Sequence, residues 1–206
     1  MIVYDVQQNT PEWLEVRKGI PTASKAASIL TSTELASTQR SGYIHELIAK
    51  RFDAYQSWGG NRSTKRGHEL EPDAVAAYEF LTDLNCEPIG FVTNDAGTFG
   101  CSPDRMVGKN GGVQIKCCEG KEHVHMLLGN KLPSKHLPQV YSELWTTGRK
   151  WWDFFAYHPK LPSLRIRTYR TDAVYVNWIE MWEIELAEFT KKLESDFEKI
   201  ANYHAK

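Results

Sequence analysis

The sequence predicts an α/β fold, a mixed central sheet flanked by helices. Three observations carry that expectation. Ser41–Phe52 repeats apolar residues (Tyr43, Ile44, Leu47, Ile48, Phe52) at helical spacing, and Val174–Tyr203 does so through Trp178, Trp182, Leu186, Phe189, Leu193, Phe197 and Ile200. Between them, Phe99–Val107 and Gly112–Cys117 are short apolar runs joined by Lys109-Asn110-Gly111-Gly112, a hairpin signature. Later, Trp151–Tyr157 and Leu164–Tyr169 read as strands, the second with partial alternation.

The remaining elements follow in order. Pro11–Arg17 and Thr22–Leu30 read as short helices opening on proline or a polar residue, with Ser24 in the first turn of the second. Within Ser41–Phe52, Glu46 and Lys50 form an ordinary surface pair four residues apart. Tyr55–Arg66 (YQSWGGNRSTKR) is polar and glycine-rich and reads as a loop. The next helix is expected to bury Val75, Tyr78 and Leu81; Pro72 fits its first turn, which puts Glu71 near the N-terminal end. Ile89–Thr93 is a strand, and Phe99 opens the next. A loop runs from Glu119 to His125, Pro138–Thr147 is a helix burying Val140, Leu144 and Trp145, and a long helix of about 174–203 ends the chain. No repeat, low-complexity tract or linker interrupts it, so residues 1–206 are expected to form a single domain.

Composition narrows the class. With 206 residues, 41% hydrophobic and 12% aromatic, the chain can bury one sizeable core. It has no apolar run able to span a bilayer and no signal peptide, so a cytoplasmic protein without membrane contact is expected. Cys86, Cys101, Cys117 and Cys118 lack paired metal spacing, and adjacent Cys117 and Cys118 do not readily bridge, so reduced thiols are expected. His123 and His125 have no CxxC or HExxH frame around them to hold zinc. The net charge of −1 leaves nucleic-acid binding open, because a nuclease needs only a locally basic track and its own carboxylates offset the sum. Arg62, Lys65 and Arg66 form one basic cluster and Arg165, Arg167 and Arg170 another; each reads equally well as a solvated loop or strand face.

The hairpin carries the chemistry. Folding about Lys109 or Asn110 brings Asp104 opposite Gln114–Lys116. Gln114 and Lys116 share one strand face, while Val113, Ile115 and Cys117 face the other way. A carboxylate, an amide and an ammonium thus converge. Pro103-Asp104 followed by Gln114-Ile115-Lys116 resembles the PD-(D/E)xK nuclease core, with Gln114 where that family has Asp or Glu. Further blocks fall in order along residues 10 to 158: Glu12-Trp13-Leu14-Glu15-Val16-Arg17, Thr22-Ala23-Ser24, Gly67-His68-Glu69-Leu70-Glu71-Pro72-Asp73-Ala74, Cys101-Ser102-Pro103-Asp104, and Gln139-Val140-Tyr141 with Trp145. Together they resemble phage lambda exonuclease and its viral recombinase relatives.

That resemblance implies a restriction-endonuclease-like core and a magnesium-dependent exonuclease, with manganese able to substitute, that degrades one strand of linear duplex DNA from its 5′ end. It implies that Asp104, Gln114 and the Ile115 carbonyl hold the metal, that Glu71 helps position metal or water, and that Gln139 lies near the reaction. Lys116 would orient water or offset phosphate charge, and Arg17, Ser24 and Ser102 would hold the 5′-phosphate. It further implies a ring-shaped homotrimer, a single-strand annealing protein as partner, and a phage recombination setting in the bacterial cytoplasm. Without the resemblance, Ser24 reads as a helix cap, Arg17 as an ion pair with Glu12 or Glu15, and Glu71 as a capping carboxylate. Gln114 is the departure: a neutral amide is nearly isosteric with Glu, as in a replacement made to trap a substrate complex, but it brings no charge to a cation. Slow cleavage is therefore expected. Two alternatives stay open: a catalytically silent DNA-end-binding relative, and an endonuclease or repair nuclease with the same core.

Overall fold

The computed structural model describes residues 1–55 and 62–203, without the side chains of residues 62–65 and 68. Its elements run β1 (Ile2–Tyr4), α1 (Pro11–Val16), a 3₁₀ helix (Ala23–Ser28), α2 (Arg40–Arg51), α3 (Arg62–Thr82), β2 (Cys86–Glu87), β3 (Phe91–Thr93), β4 (Gly100–Cys101), β5 (Arg105–Val107) and β6 (Gly111–Lys116). They continue with α4 (Gly120–Gly129), α5 (Leu137–Thr147), β7 (Trp151–Ala156), β8 (Leu164–Tyr169) and α6 (Ala173–Ala201). A five-stranded sheet has the order β2-β5-β6-β7-β8, and a small three-stranded sheet the order β1-β3-β4. Only the β6–β7 pairing of the larger sheet is parallel, so the expected mixed sheet is present.

Helices cover both faces of the larger sheet. Along β7, Trp152, Phe154 and Ala156 join the apolar cluster built with α2, α5 and α6, whereas Phe155 joins Ala74 and Tyr78 of α3. Alternation therefore sorts β6 as well: Val113 and Ile115 pack toward α3, and Gln114, in register with Phe154, lies on the α5 side. The α6 stripe buries Trp178, Trp182, Leu186, Phe189 and Leu193, while Phe197 is partly buried and Ile200 stays exposed near the helix end. On α2, Phe52 lies just past the helix, exposed, and meets Phe197 in a tilted ring contact at 5.3 Å rather than entering the core.

Several expected boundaries move. The first hairpin strand is two strands: β4 belongs to the small sheet and β5 to the large one, with Ser102-Pro103-Asp104 crossing between them. The turn lies one step earlier than expected, on Gly108–Asn110, with Gly108 at φ +51°. Gly111 and Gly112 are strand residues, and their lack of a side chain has a different cause. A Cβ on Gly111 would sit 2.1 Å from the Trp151 indole and one on Gly112 2.3 Å from that of Trp152, so large aromatics on β7 select glycine opposite them.

The expected Glu119–His125 loop becomes α4 from Gly120 onward. Its composition is mixed, but His123 and Met126 supply buried contacts that local propensity does not reveal. The largest revision concerns α3. It is helical from Arg62, so Pro72 lies inside the helix and Glu71 sits in its middle, not at its N-terminal end. A proline there removes one backbone donor, and packing of Ala74 and Tyr78 on the sheet carries the helix through it. The buried stripe is Ala74 and Tyr78 with Val75 partly covered; Leu81 is exposed. Of the expected Tyr55–Arg66 loop, residues 56–61 lie outside the described residues, as do the side chains of Arg62 and Lys65.

Candidate active site

Two clefts meet at a pair of carboxylates. The larger, about 720 Å³, is lined by Arg17, Ser24, Ser102, Gln139 and Glu143, the smaller, about 370 Å³, by Gln114, Lys116 and Glu119, and both by Asp104 and Glu71. The crossing from β4 to β5 creates this meeting point. Thr22 bridges in parallel to Gly100, and the Gly100 N–H donates to the Pro21 carbonyl at 3.0 Å, which holds the start of the 3₁₀ helix beside Ser102.

Arg17, Ser24 and Ser102 thereby line one cavity although 85 residues separate the first from the last. The Arg17 guanidinium stacks 3.7 Å from the Trp13 ring centre, and the Trp13 indole N–H donates to Ser102 Oγ at 2.8 Å. Ser24 Oγ lies 3.3 Å from Thr22 Oγ1. Arg17 Nε is buried with no hydrogen-bond partner among the described residues, and Glu15 pairs with Lys18 instead. Burial pushes the Arg17 guanidinium down to about 10, against nearby Tyr43 and Cys101, which favour its charge. The result is a half-buried cation with no carboxylate bonded to it among the described residues. The expected helix N-terminus contributes less than anticipated, because the element is a six-residue 3₁₀ helix; side chains line this part of the cleft.

Asp104 Oδ2 accepts the Ile115 backbone N–H at 2.6 Å and also the Gln114 amide Nε2. Gln114 Nε2 donates as well to the Ile115 carbonyl at 3.3 Å. Asp104, Gln114 and Ile115 thus form one contact group, with the amide N–H bridging two oxygens that would suit a hard cation. Desolvation raises the Asp104 carboxyl to about 6; Lys116 and the Ile115 N–H oppose that rise, Glu71 adds to it and Arg105 opposes it. Glu71 does not cap a helix: it accepts from Arg105 Nη1 at 2.8 Å.

Gln139 on α5 bridges the other side. Its Nε2 donates to Gln114 Oε1 at 2.7 Å and to Glu143 Oε1 at 2.9 Å. Glu143 is only 1% exposed, and its Oε2 has no hydrogen-bond partner among the described residues. The Trp152 indole lies near enough to favour the charged carboxylate but makes no bond of acceptable geometry. Burial and the Asp104 charge lift the Glu143 carboxyl to about 8, against Gln139, Lys116 and Trp152.

Sequence reading missed Glu143, Arg105 and Trp13 as members of the site. Glu143 had a signal: it stands one turn after Gln139 on a helix whose buried stripe runs through Val140 and Leu144, where an acidic residue is anomalous. Arg105 and Trp13 had none that separates them from ordinary surface residues.

A divalent cation fits these residues. No three His, Cys, Asp or Glu side chains cluster among the described residues, but magnesium keeps waters and substrate phosphates and needs few protein carboxylates. Asp104 and the Glu143 oxygen left without a partner among the described residues are carboxyl oxygen donors lining one cleft, and the Ile115 carbonyl adds a neutral one. The second basic cluster, in contrast, is structural where it is buried: Arg167 makes a two-pronged bond to Asp153 at 2.8 Å and covers the Trp151 ring. His123 Nε2–H donates to the Pro162 carbonyl at 2.8 Å, as a core histidine.

Comparison with known proteins gives the family and the fold. A family model described as a YqaJ-like viral recombinase domain matches residues 12–150. An alkaline exonuclease from Laribacter hongkongensis is similar over 93% of this chain and 96% of its own, at 31% identity and a TM-score of 0.82. The same exonuclease in complex with dAMP matches over 93% of this chain and 98% of its own, at 31% identity and TM-score 0.77. A phage related exonuclease from Haemophilus somnus 129PT shares the fold at 13% identity, TM-score 0.62, over 86% of this chain and 96% of its own. No curated protein matches the sequence.

Proposed function

The chain belongs to the YqaJ-like viral recombinase family, and from that premise we propose that it is a DNA exonuclease acting from the 5′ ends of linear duplex. The observation that carries the reading is the half-buried Arg17 guanidinium, whose Nε has no partner among the described residues, placed with the Ser24 and Ser102 hydroxyls in the same cleft as the Asp104 carboxylate. A terminal phosphate is a small dianion that this cation would receive, and the hydroxyls would donate to its oxygens. Internal duplex offers no such dianion, so the cleft favours ends over continuous DNA.

Beyond the phosphate-holding residues, Asp104 and the Ile115 carbonyl would hold magnesium or manganese, with Gln114 fixing Asp104. When bound, the cation supplies a lower pKa for an attacking water and offsets charge on the scissile phosphate. Lys116 lines the opposite cleft beside Asp104 and would orient that water or balance developing phosphate charge. Glu71, held by Arg105 between the clefts, would keep the path for the strand narrow and polar. The dAMP held by the similar exonuclease supports a nucleoside monophosphate as the product released here. Membership of the family also supports a homotrimer enclosing the duplex, an annealing protein that receives the exposed single strand, and action in the host cytoplasm; no helix among the described residues is long and apolar enough to cross a membrane.

The test compares magnesium-dependent digestion of linear 5′-phosphorylated, linear 5′-hydroxyl and closed circular duplex. Digestion ranked phosphorylated, then hydroxyl, with circles untouched, supports the reading. Cleavage of circles would make the protein an endonuclease, and binding of ends without cleavage a silent relative.

A further inference from the structure

Gln114 leaves the hairpin one charge short, and the missing carboxylate stands close by on another element. Gln139 and Glu143 are four residues apart on α5, so they share the helix face turned toward β6. Gln139 touches Gln114 and Glu143 at once, which sets the Glu143 carboxylate next to the position where a strand carboxylate is expected. Glu143 Oε2 is buried and unpartnered among the described residues, and Glu143 lines the same cleft as Asp104. Among the described residues its one bonded partner is the neutral Gln139 amide, and no cation is bonded to it. Its neighbours along the helix, Val140 and Leu144, are core residues, and a carboxylate buried without a cation is costly.

We propose that Glu143 supplies the second carboxylate of a divalent-cation site shared with Asp104, from α5 rather than from the strand. This rests on the metal-dependent reading of the site. The charge has moved from strand to helix, and the amides between mark the route. Gln114 keeps a positioning role, holding Asp104 through one end of its amide and Gln139 through the other. On this account the amide at 114 does not disable the enzyme.

The experiment measures Mn²⁺ binding to the whole chain without DNA, by the electron paramagnetic resonance of free Mn²⁺, with circular dichroism to confirm folding. It uses the unaltered protein, Asp104→Asn, Glu143→Gln, Glu143→Asp, and the double exchange Gln114→Glu with Glu143→Gln. Asp104→Asn and Glu143→Gln should each weaken binding at least roughly 10-fold. Glu143→Asp keeps the charge but withdraws the oxygen by one methylene, and should weaken it comparably. The double exchange, which returns the charge to the strand, should restore affinity to within a few-fold. If Glu143→Gln or Glu143→Asp binds as the unaltered protein does while Asp104→Asn fails, the metal-dependent reading stands and the assignment of Glu143 is wrong. A double exchange as weak as Glu143→Gln alone also overturns it. Absence of Mn²⁺ binding in the unaltered protein overturns both readings together.

Discussion

The larger sheet buries carboxyl groups on both faces, and the two faces treat them differently. On the α3 side, Asp153 is fully buried and fully answered: Tyr78 Oη donates at 2.7 Å, and Arg167 Nε and Nη2 donate at 2.8 Å each. On the α5 side, Asp104 and Glu143 face one cleft with amides as their closest partners and no arginine or lysine bonded to either among the described residues. Both arrangements remove charge from water, which is costly unless a counter-charge is present. The first is complete within the chain. The second is incomplete among the described residues, and such incompleteness is what a binding site requires, as opposed to a structural ion pair.

Substituting Asp104 gives the largest separation between the two faces. Asp104→Ala should reduce single-turnover cleavage of 5′-phosphorylated duplex by at least about 10³-fold, roughly 4 kcal/mol of lost transition-state stabilisation, because it removes the strand carboxylate from the metal. Its thermal midpoint without metal should be unchanged or higher. A variant that melts much earlier would place Asp104 in the same structural class as Asp153, and retained cleavage would remove it from the active site altogether.

The complementary substitution comes next. Asp153→Ala strands the Arg167 guanidinium against Trp151 and leaves the Tyr78 hydroxyl without an acceptor. Removing one member of a buried pair costs about 3–5 kcal/mol, which at this chain length lowers Tm by roughly 10–15 °C. Thermal denaturation followed by circular dichroism checks it. The fraction that remains folded should still cleave, since neither Asp153 nor Arg167 lines either cleft.

Much of this comparison was legible in the sequence, but only where local pattern decides geometry. Alternation in Gly112–Cys117 put Gln114 and Lys116 on one strand face, and the glycine turn put Asp104 opposite them, because register follows from a turn and a period of two. The α2 and α6 stripes were equally readable at 3.6 residues per turn. What was hidden depends on tertiary context. Pro72 looked like a helix start because a proline is easiest to place there, and the sheet contacts of Ala74 and Tyr78 that carry α3 through it are not a local property. Arg167 read equally as part of a basic track or of a solvated strand face, and its partner Asp153, on the neighbouring strand, makes it neither. Glu143 went unremarked because its significance lies in which side of α5 meets β6, a fact of packing.

Arg17 tests the cation that the chain leaves unanswered. Arg17→Ala should slow digestion of 5′-phosphorylated ends by roughly 10- to 100-fold, the worth of a charge-assisted contact of about 1.5–3 kcal/mol. Digestion of 5′-hydroxyl ends should slow much less. Steady-state kinetics on the two substrates separate the possibilities: equal slowing would make Arg17 a general support for Trp13 and Ser102, not a phosphate receptor.

The smallest effect is on stability against pH, and it distinguishes the two faces without any substrate. A carboxyl whose pKa rises on folding holds its proton more tightly in the native state than in the unfolded chain. Native stability therefore falls as pH increases between the two values. For Glu143 that window runs from the ordinary 4.5 to about 8, and for Asp104 from 3.8 to about 6. Without divalent metal, Tm should decline from about pH 5 to pH 8, by roughly 5–10 °C if the combined penalty is on the order of 2–3 kcal/mol. Magnesium or manganese at millimolar concentration should recover the loss at pH 8 and do little at pH 5, where protons already neutralise the pair. Glu143→Gln carries no proton to lose, so its decline should be shallower and its recovery by metal smaller. A metal-free Tm that rises across this range would show that the α5-side carboxyls are answered within the chain after all, as Asp153 is.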